Sequence, residues 1–227
     1  ISDGLNYLAR SQKPDGHWSV EITPKGWDQW NTKEFQWGET AVTGLALLAF
    51  LGEGQTWLID EHTGKKDQHA DKILRGARWL LKNQDSDTGR FGPPAGAALK
   101  WAYNHGIGTL AMVEAAGLTG DETLRASAQK GVTLIINSQN DDGGWNYQGQ
   151  ASDVIVSAWQ AQALWTGREI GLNVPDAALS KALDFYRSAT VIAHGNVRVI
   201  YSPKTTSAVD RAVDLPSRCG VALMLRQ

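Results

Sequence analysis

Cysteine is almost absent from this 227-residue chain, and the single Cys219 excludes both an internal disulfide framework and a multi-cysteine metal site. Uninterrupted apolar runs of about 18 residues are also missing, so no transmembrane helix is expected. Neither sign of charge dominates, since the net charge is −2, and nothing in the composition indicates a nucleic acid or an anionic membrane as a partner. These absences leave an ordinary soluble globular protein as the expectation.

What the chain does contain is an internal repeat. A nonapeptide occurs as GLNYLARSQ at 4–12, GARWLLKNQ at 76–84 and GVTLIINSQ at 131–139, with a degenerate copy, ALDFYRSAT, at 182–190. In the first three copies the final glutamine is followed by an acidic, glycine-rich turn that ends in an aromatic residue: Trp18, Phe91 or Trp145. Repeats of this kind determine the architecture of a chain.

Two kinds of helix alternate along the repeat. Around the second and third nonapeptides, apolar residues recur on one face only, as in an amphipathic helix. The segments after the turns are apolar on all sides, which indicates burial, and they lie at 40–52, 105–117, 154–165 and 219–225. We therefore predict an all-α fold of four helical hairpins, with inner helices beginning near Thr40, His105, Val154 and Arg218 and no substantial sheet.

The arrangement that fits this alternation is an α/α toroid, with amphipathic helices outside and buried helices inside. We expect residues 1–227 to form one such domain. In the turns, we expect the three aromatic residues to be buried against an adjacent helix, and the three glutamines to bind free backbone groups at helix ends.

The turn sequence Gln-x3-Gly-x-Trp at 12–18 and 139–145 resembles the QW motif of squalene–hopene cyclases, and the hairpin resembles the prenyltransferase and squalene-oxidase repeat. Segments such as GLALLAFLGEGQT and NHGIGTLAMVEAAGLTGD resemble a bacterial group with these repeats and mostly unassigned function. The resemblance implies a complete toroid of about six hairpins. Because four are recognisable, we expect the chain to be a segment of a longer protein whose other residues complete the ring.

The catalytic motifs of these families are missing. There is no Asp-x-Asp-Asp motif for alkene protonation, and Cys219 is followed by Gly-Val-Ala rather than the Gly-Glu-Gln of thioester domains. Lanthionine cyclases need two cysteines. Protein prenyltransferases hold zinc with Asp, Cys and His, and Asp153, His105 and Cys219 stand near inner-helix starts; Ile155, however, occupies the place of the family's cysteine. No metal and no cofactor are expected.

Polar residues nevertheless cluster at the starts of the inner helices. Candidate catalytic residues are Glu39, His105 and Asp153, which are suited to acid–base chemistry. Candidate ligand-binding residues are Trp37, Tyr103, Asn104 and Arg218. The structural alternatives are helix capping or first-turn charge for the carboxylates, and for His105 a partly buried imidazole bonded to the next repeat.

We expect the chain to be a binding module that takes an apolar small molecule or peptide in its central cavity. The Trp-rich loop with Trp27, Trp30 and Trp37 would overhang the mouth of that cavity. The alternative is an enzyme with a polar site at the inner-helix amino ends, either an isoprenoid-type transferase or cyclase or a carbohydrate-active toroid. The positions of the polar side chains distinguish these two functions. Convergence of the side chains on one cavity favours the enzyme, and capping of separate helices counts against it.

Overall fold

The computed structural model describes residues 1–19, 38–92, 101–146, 151–193 and 196–203. Within these residues the fold is all-α apart from one short hairpin. The helices are α1 (Ser2–Ser11), α2 (Glu39–Leu51), α3 (Ala70–Lys82), α4 (Trp101–Thr119), α5 (Glu122–Asn137), α6 (Val154–Glu169) and α7 (Asp176–Ala189). The strands β1 (Thr190–Ala193) and β2 (Asn196–Val199) pair antiparallel.

The predicted alternation of helix types is confirmed for α3, α4 and α5. Helices α3 and α5 each bury one face, through Ile73, Ala77 and Leu80 in α3 and through Leu124, Ala128, Val132 and Ile135 in α5. Helix α4 is buried along almost its whole length. The alternation follows from the sequence because a helix that is apolar on all sides must have neighbours on more than one side.

The inner helices α2, α4 and α6 pack side by side, with α4 in the middle. Two glycines allow close approach. A Cβ atom on Gly44 of α2 would lie 2.9 Å from the Ile107 side chain, and one on Gly106 of α4 would lie 2.8 Å from the Gln160 amide nitrogen of α6. These two glycines therefore let the inner helices approach each other more closely than larger residues would permit.

The outer helices α3, α5 and α7 are each linked to the unit before them by a recurring turn. We call residues 12–18, 84–91 and 139–145 the Gln turns. The side-chain amide nitrogen of Gln12 donates both to the carbonyl of Gly16 in its own turn and to the carbonyl of Lys72 in the next outer helix, at 2.8 Å each. The glutamines thus bind free backbone carbonyls, as predicted.

The same scheme recurs twice more. Gln84 donates to the carbonyls of Gly89 and Ser127, and Gln139 donates to those of Gly143 and Ala178. Lys72, Ser127 and Ala178 all lie four residues before the first residue of their nonapeptide. Four successive units are therefore joined by three copies of one interface, which is typical of repeat proteins whose units contact their neighbours.

The aromatic residues that end the Gln turns are buried, which confirms that prediction. The indole N–H of Trp18 donates to the Leu8 carbonyl at 2.7 Å, and that of Trp145 to the Ile135 carbonyl at 2.9 Å. A Cβ atom on Gly76 would lie 2.8 Å from the Trp18 ring, and one on Gly131 would lie 3.2 Å from the Phe91 ring. The nonapeptide glycine therefore leaves room for the aromatic ring of the preceding unit.

The fourth nonapeptide ends differently from the other three. Thr190 stands where they have glutamine, and its hydroxyl donates to the Tyr186 carbonyl of its own helix at 2.7 Å. A threonine lacks the amide group that reaches the next unit, and the chain continues into β1 and β2 instead of a Gln turn. The degenerate sequence thus marks a change of structure.

Two further expectations have specific outcomes. Helix α4 begins at Trp101, four residues before the predicted start, so His105 lies in its second turn. The predicted fourth inner helix near Arg218 and Cys219, and the loop with Trp27, Trp30 and Trp37, lie outside the described residues. None of the described helices has the length and apolarity that crossing a bilayer requires.

Candidate functional site

Glu39, at the start of α2, faces an imidazole from the first Gln turn. Its Oε1 lies 3.5 Å from Nε2 of His17, and the other ring nitrogen of His17 lies 2.6 Å from Oδ1 of Asp15. The Trp79 indole N–H donates to Oδ2 of Asp15 at 3.2 Å, and its ring lies 5.2 Å from that of His17. A chain of carboxylate, imidazole and carboxylate therefore links the turn to an inner and an outer helix.

The electrostatics of this group keep Asp15 ionised. Desolvation raises the pKa of Asp15, but hydrogen bonds from the side chain and backbone of His17 outweigh it and hold the pKa below its ordinary value. An ionised Asp15 next to Nδ1 of His17 orients the ring and leaves Nε2 directed at Glu39. Carboxylate–imidazole pairs of this geometry suit proton transfer.

Asn104 of α4 acts on the neighbouring inner helix. Its side-chain oxygen accepts the backbone N–H of Ala41 at 2.9 Å, in the first turn of α2, where backbone donors have no partner within the helix. Asn104 is buried, and a Cβ atom on Gly92 would lie 2.6 Å from it. Tyr103, its neighbour, is half-buried and packs against the core. Asn104 therefore caps a helix of the preceding unit.

His105 is fully buried and joins two units through both ring nitrogens. Its Nδ1 accepts the backbone N–H of Phe91 at 3.2 Å, and its Nε2 lies 3.1 Å from the carbonyl of Gly131 in the next outer helix. An N–H donor on one side and a carbonyl on the other define a neutral imidazole protonated at Nε2. The structural alternative named for His105, a bond to the next repeat, is found here, although the ring is fully rather than partly buried.

Burial also determines the charge of His105. Desolvation lowers its pKa from 6.5 to about 4; the hydrogen bond to Gly131 opposes this shift, and the nearby Arg90 charge adds to it. At neutral pH the ring is therefore uncharged, and both of its nitrogens are engaged by backbone groups.

Asp153 is the N-cap of α6. Its Oδ1 accepts the backbone N–H groups of Ile155 at 3.0 Å and Val156 at 2.8 Å. The capping alternative named for this residue is thus what the structure contains. The same device occurs at Asp121, which caps the outer helix α5 through Thr123 and Leu124.

The second carboxylate oxygen of Asp153 is buried without a hydrogen bond of good geometry. Burial raises the pKa of Asp153, while the two backbone N–H groups and the nearby Tyr201 hydroxyl lower it, so that the net shift is upward. Tyr186 lies close by, donates its hydroxyl to the Val154 carbonyl at 2.7 Å, and has a raised pKa because of burial and the Asp153 charge. The surroundings of Asp153 thus disfavour the charged form of its carboxylate.

The described candidates have separate partners. Glu39 pairs with His17, Asn104 binds Ala41, His105 joins Phe91 to Gly131, and Asp153 caps α6. Trp37 and Arg218 lie outside the described residues, so their proposed roles stay predictions. Sequence reasoning missed Asp15 and His17, although His17 next to the turn aromatic was a visible signal.

A second feature of the inner helices is apolar. Counted from Glu39 in α2 and from Asp153 in α6, Leu45 and Trp159 occupy the same position, as do Ala41 and Ile155. All four side chains are partly or largely exposed, and Leu45 is 43% exposed. We call Leu45, Ile155 and Trp159 the inner apolar stripe.

No family model matches the chain, and no curated protein matches it by sequence.

Proposed function

We propose that the chain is a section of an α/α toroid of prenyltransferase and squalene-cyclase-type repeats that serves as a binding module for an apolar small molecule or peptide. Support for the toroid comes from the identical joints between successive units and from the consecutive packing of α2, α4 and α6. Repetition of one joint with one rotation generates a curved array of hairpins. The concave side of that array is the binding surface.

The observation that carries the binding function is the inner apolar stripe. Leu45 is 43% exposed on a helix whose neighbouring residues Ala46 and Leu47 are buried. Ligand sites are mostly apolar surfaces with a few polar groups that orient the ligand. The stripe supplies the apolar part, and Glu39 with His17, at the start of the same helix as Leu45, supplies the polar part.

The test is binding of an apolar fluorescent probe, 1-anilinonaphthalene-8-sulfonate, to the folded chain. Leu45→Glu and Trp159→Glu are expected to weaken probe binding at least about tenfold, because a carboxylate in an apolar contact must be desolvated. Leu58→Glu is the matched control, since Leu58 is 44% exposed and lies outside the inner helices. Equal effects of Leu45→Glu and Leu58→Glu would refute the proposal.

A second candidate function is acid–base catalysis, which the Asp15–His17–Glu39 chain favours. In this alternative His17 moves a proton and Glu39 is the second titrating group, acting on an isoprenoid or a carbohydrate. The test is turnover of isoprenoid diphosphates and oligosaccharides by the chain. Activity that disappears in both His17→Gln and Glu39→Gln, but not in Leu58→Glu, would establish the enzyme and displace the binding module.

A further inference from the structure

The charged residues of the inner helices are almost all acidic. Helices α2, α4 and α6 contain the glutamates Glu39, Glu114 and Glu169 but no lysine. Their one arginine is Arg168, whose guanidinium pairs with Asp176 of α7 at 2.7 Å. The outer helix α3, by contrast, contains four basic residues. A ligand that binds against these inner helices therefore meets an apolar layer whose unpaired charges are negative.

Two of these glutamates come together at the carboxyl ends of α4 and α6. Thr166 of α6 donates its hydroxyl to the Glu114 carboxylate, and the charge of Glu169 acts on the same carboxylate. The two helices are in close contact here, since a Cβ atom on Gly117 would lie 2.7 Å from the Ile170 side chain. We call Glu114 and Glu169 the carboxylate pair.

The carboxylate pair lies at one end of the inner apolar stripe. Thr166 follows Ile155 by eleven residues and Trp159 by seven, and both spacings return to the same face of a helix. All three side chains are partly exposed. Ile155 and Thr166 lie about 16 Å apart along the helix axis. One face of α6 is therefore apolar over its first three turns and acidic where it ends.

The carboxylate pair is electrostatically unfavourable without a cation. Desolvation raises the pKa of the half-buried Glu114, the charge of Glu169 raises it further, and the hydrogen bond from Thr166 opposes both effects. The carboxyl ends of helices also carry partial negative charge. Among the residues that the structure describes, no lysine, arginine or histidine forms an ion pair with either glutamate. A cationic group would relieve this repulsion.

We propose that the ligand of the inner apolar stripe is a small amphiphile whose ammonium head binds between Glu114 and Glu169 and whose apolar body lies along the stripe. The proposal rests on the proposed function, because the stripe must first bind an apolar body. It narrows the ligand class by charge. A neutral hydrocarbon leaves the carboxylate pair uncompensated, and a diphosphate or carboxylate head is repelled by it.

Three fluorescent probes with the same apolar body test the charge preference. Diphenylhexatriene is neutral, and its trimethylammonium and propionate derivatives carry a positive and a negative charge. Fluorescence titration of the folded chain at low salt gives a dissociation constant for each probe. The trimethylammonium derivative is expected to bind at least about tenfold more tightly than the propionate derivative, with the neutral probe between them. Added salt should reduce the difference, because it screens partly exposed charges.

The double variant Glu114→Gln with Glu169→Gln removes both charges and keeps the side-chain oxygens. It is expected to abolish the preference for the trimethylammonium derivative, to tighten binding of the propionate derivative and to leave the neutral probe unchanged. Its melting temperature should not fall, because a repulsive pair is removed. Glu61→Gln is the matched control, since Glu61 is exposed in the connection between α2 and α3 and should affect none of the probes.

The possible failures distinguish this proposal from the one it rests on. Equal affinities for all three probes, each weakened by Leu45→Glu, would leave the binding module in place and overturn the cationic ligand. A preference for the trimethylammonium derivative that survives the double variant would also overturn it. Failure of all three probes to bind would overturn the proposed function and this proposal together.

Discussion

In the first and third repeat units, a hydroxyl group binds the backbone N–H of the turn tryptophan: Thr43 binds that of Trp18 at 3.0 Å, and Ser157 that of Trp145 at 2.8 Å. In the second unit, the corresponding N–H of Phe91 is bound by a ring nitrogen of His105. The three units thus satisfy the same buried donor with different chemical groups.

The difference follows from one glycine. Aligned by their inner helices, the units place Gly108 where the others have Thr43 and Ser157. A Cβ atom at Gly108 would lie 2.9 Å from the Phe91 side chain, so no hydroxyl-bearing residue fits. His105, one turn earlier in α4, reaches the N–H instead. A histidine that looked like a candidate catalyst is thus accounted for by comparison with its structural counterparts.

The largest effect is expected from removal of the buried aromatic residue that ends the Gln turn in all three units. Trp145→Ala should lower the free energy of unfolding by about 3–5 kcal/mol, because a buried ring and its N–H bond to Ile135 are lost. Chemical denaturation measures the change. Trp145→Phe, which keeps a ring, should cost less, and a loss in Trp145→Phe as large as that in Trp145→Ala would contradict the packing role.

His105 makes the joint of the second unit depend on pH. Its pKa of about 4 in the folded chain lies below the unfolded value of 6.5, so the unfolded chain takes up the proton first. The contribution of the neutral His105 ring to the free energy of unfolding is therefore fully present above about pH 6.5. It is lost as the pH falls towards 4, and the loss amounts to about 3 kcal/mol.

Denaturation curves across that range, compared with His105→Gln, isolate this contribution from those of other groups. The variant should be less stable at neutral pH, and its stability should fall less steeply between pH 6.5 and 4. Parallel profiles for the two proteins would show that His105 is not the group responsible.

Removal of the hydroxyl groups should weaken the first and third units. Thr43→Val and Ser157→Ala each leave a buried tryptophan N–H without its acceptor, which costs about 1–3 kcal/mol. Thr133→Val is the matched control, because Thr133 is exposed and its hydroxyl bonds only within its own helix region. If Thr43→Val is no more destabilising than Thr133→Val, the shared hydrogen-bonding scheme has little energetic weight.

The smallest effect is expected at the inner-helix cap. Asp153→Ala should cost about 1 kcal/mol, whereas Asp153→Asn should keep the cap and remove a charge that burial disfavours. Thermal unfolding of both variants at pH 7 measures the difference. A loss in Asp153→Asn equal to that in Asp153→Ala would mean that the carboxylate charge itself stabilises the fold.

Much of the outer architecture could be read from the sequence. Periodic apolar residues such as Ile73, Ala77 and Leu80 identified one-sided helices, and the glutamine and aromatic residues of the turns behave as expected. The start of α4 was placed four residues late, since Tyr103 and Asn104 carry polar groups that conceal a helix start. From the sequence, the end of the fourth unit was recognisable only as a degenerate repeat. Thr190 shows that the turn glutamine is missing, but it does not predict the strands β1 and β2 that follow.

The candidate site was less predictable. Residue type alone does not distinguish a cap from a catalyst, and the partners of Asn104 and His105 lie 63 and 26 residues away in sequence. The Asp15–His17–Glu39 group joins a turn to a distant helix start in the same manner. Such contacts depend on the angle between hairpins, which no local pattern encodes.

The most direct test of the central claim, that the buried polar residues Asn104 and His105 hold neighbouring repeat units together, is the ionisation of His105. Heteronuclear NMR of ¹⁵N-labelled protein reports the charge and tautomer of each imidazole. We predict a neutral ring protonated at Nε2 from pH 8 down to about 5, with a pKa of about 4. Titration of His105 near its ordinary value of 6.5, with no effect on folding, would contradict the claim and restore it as a candidate acid–base catalyst.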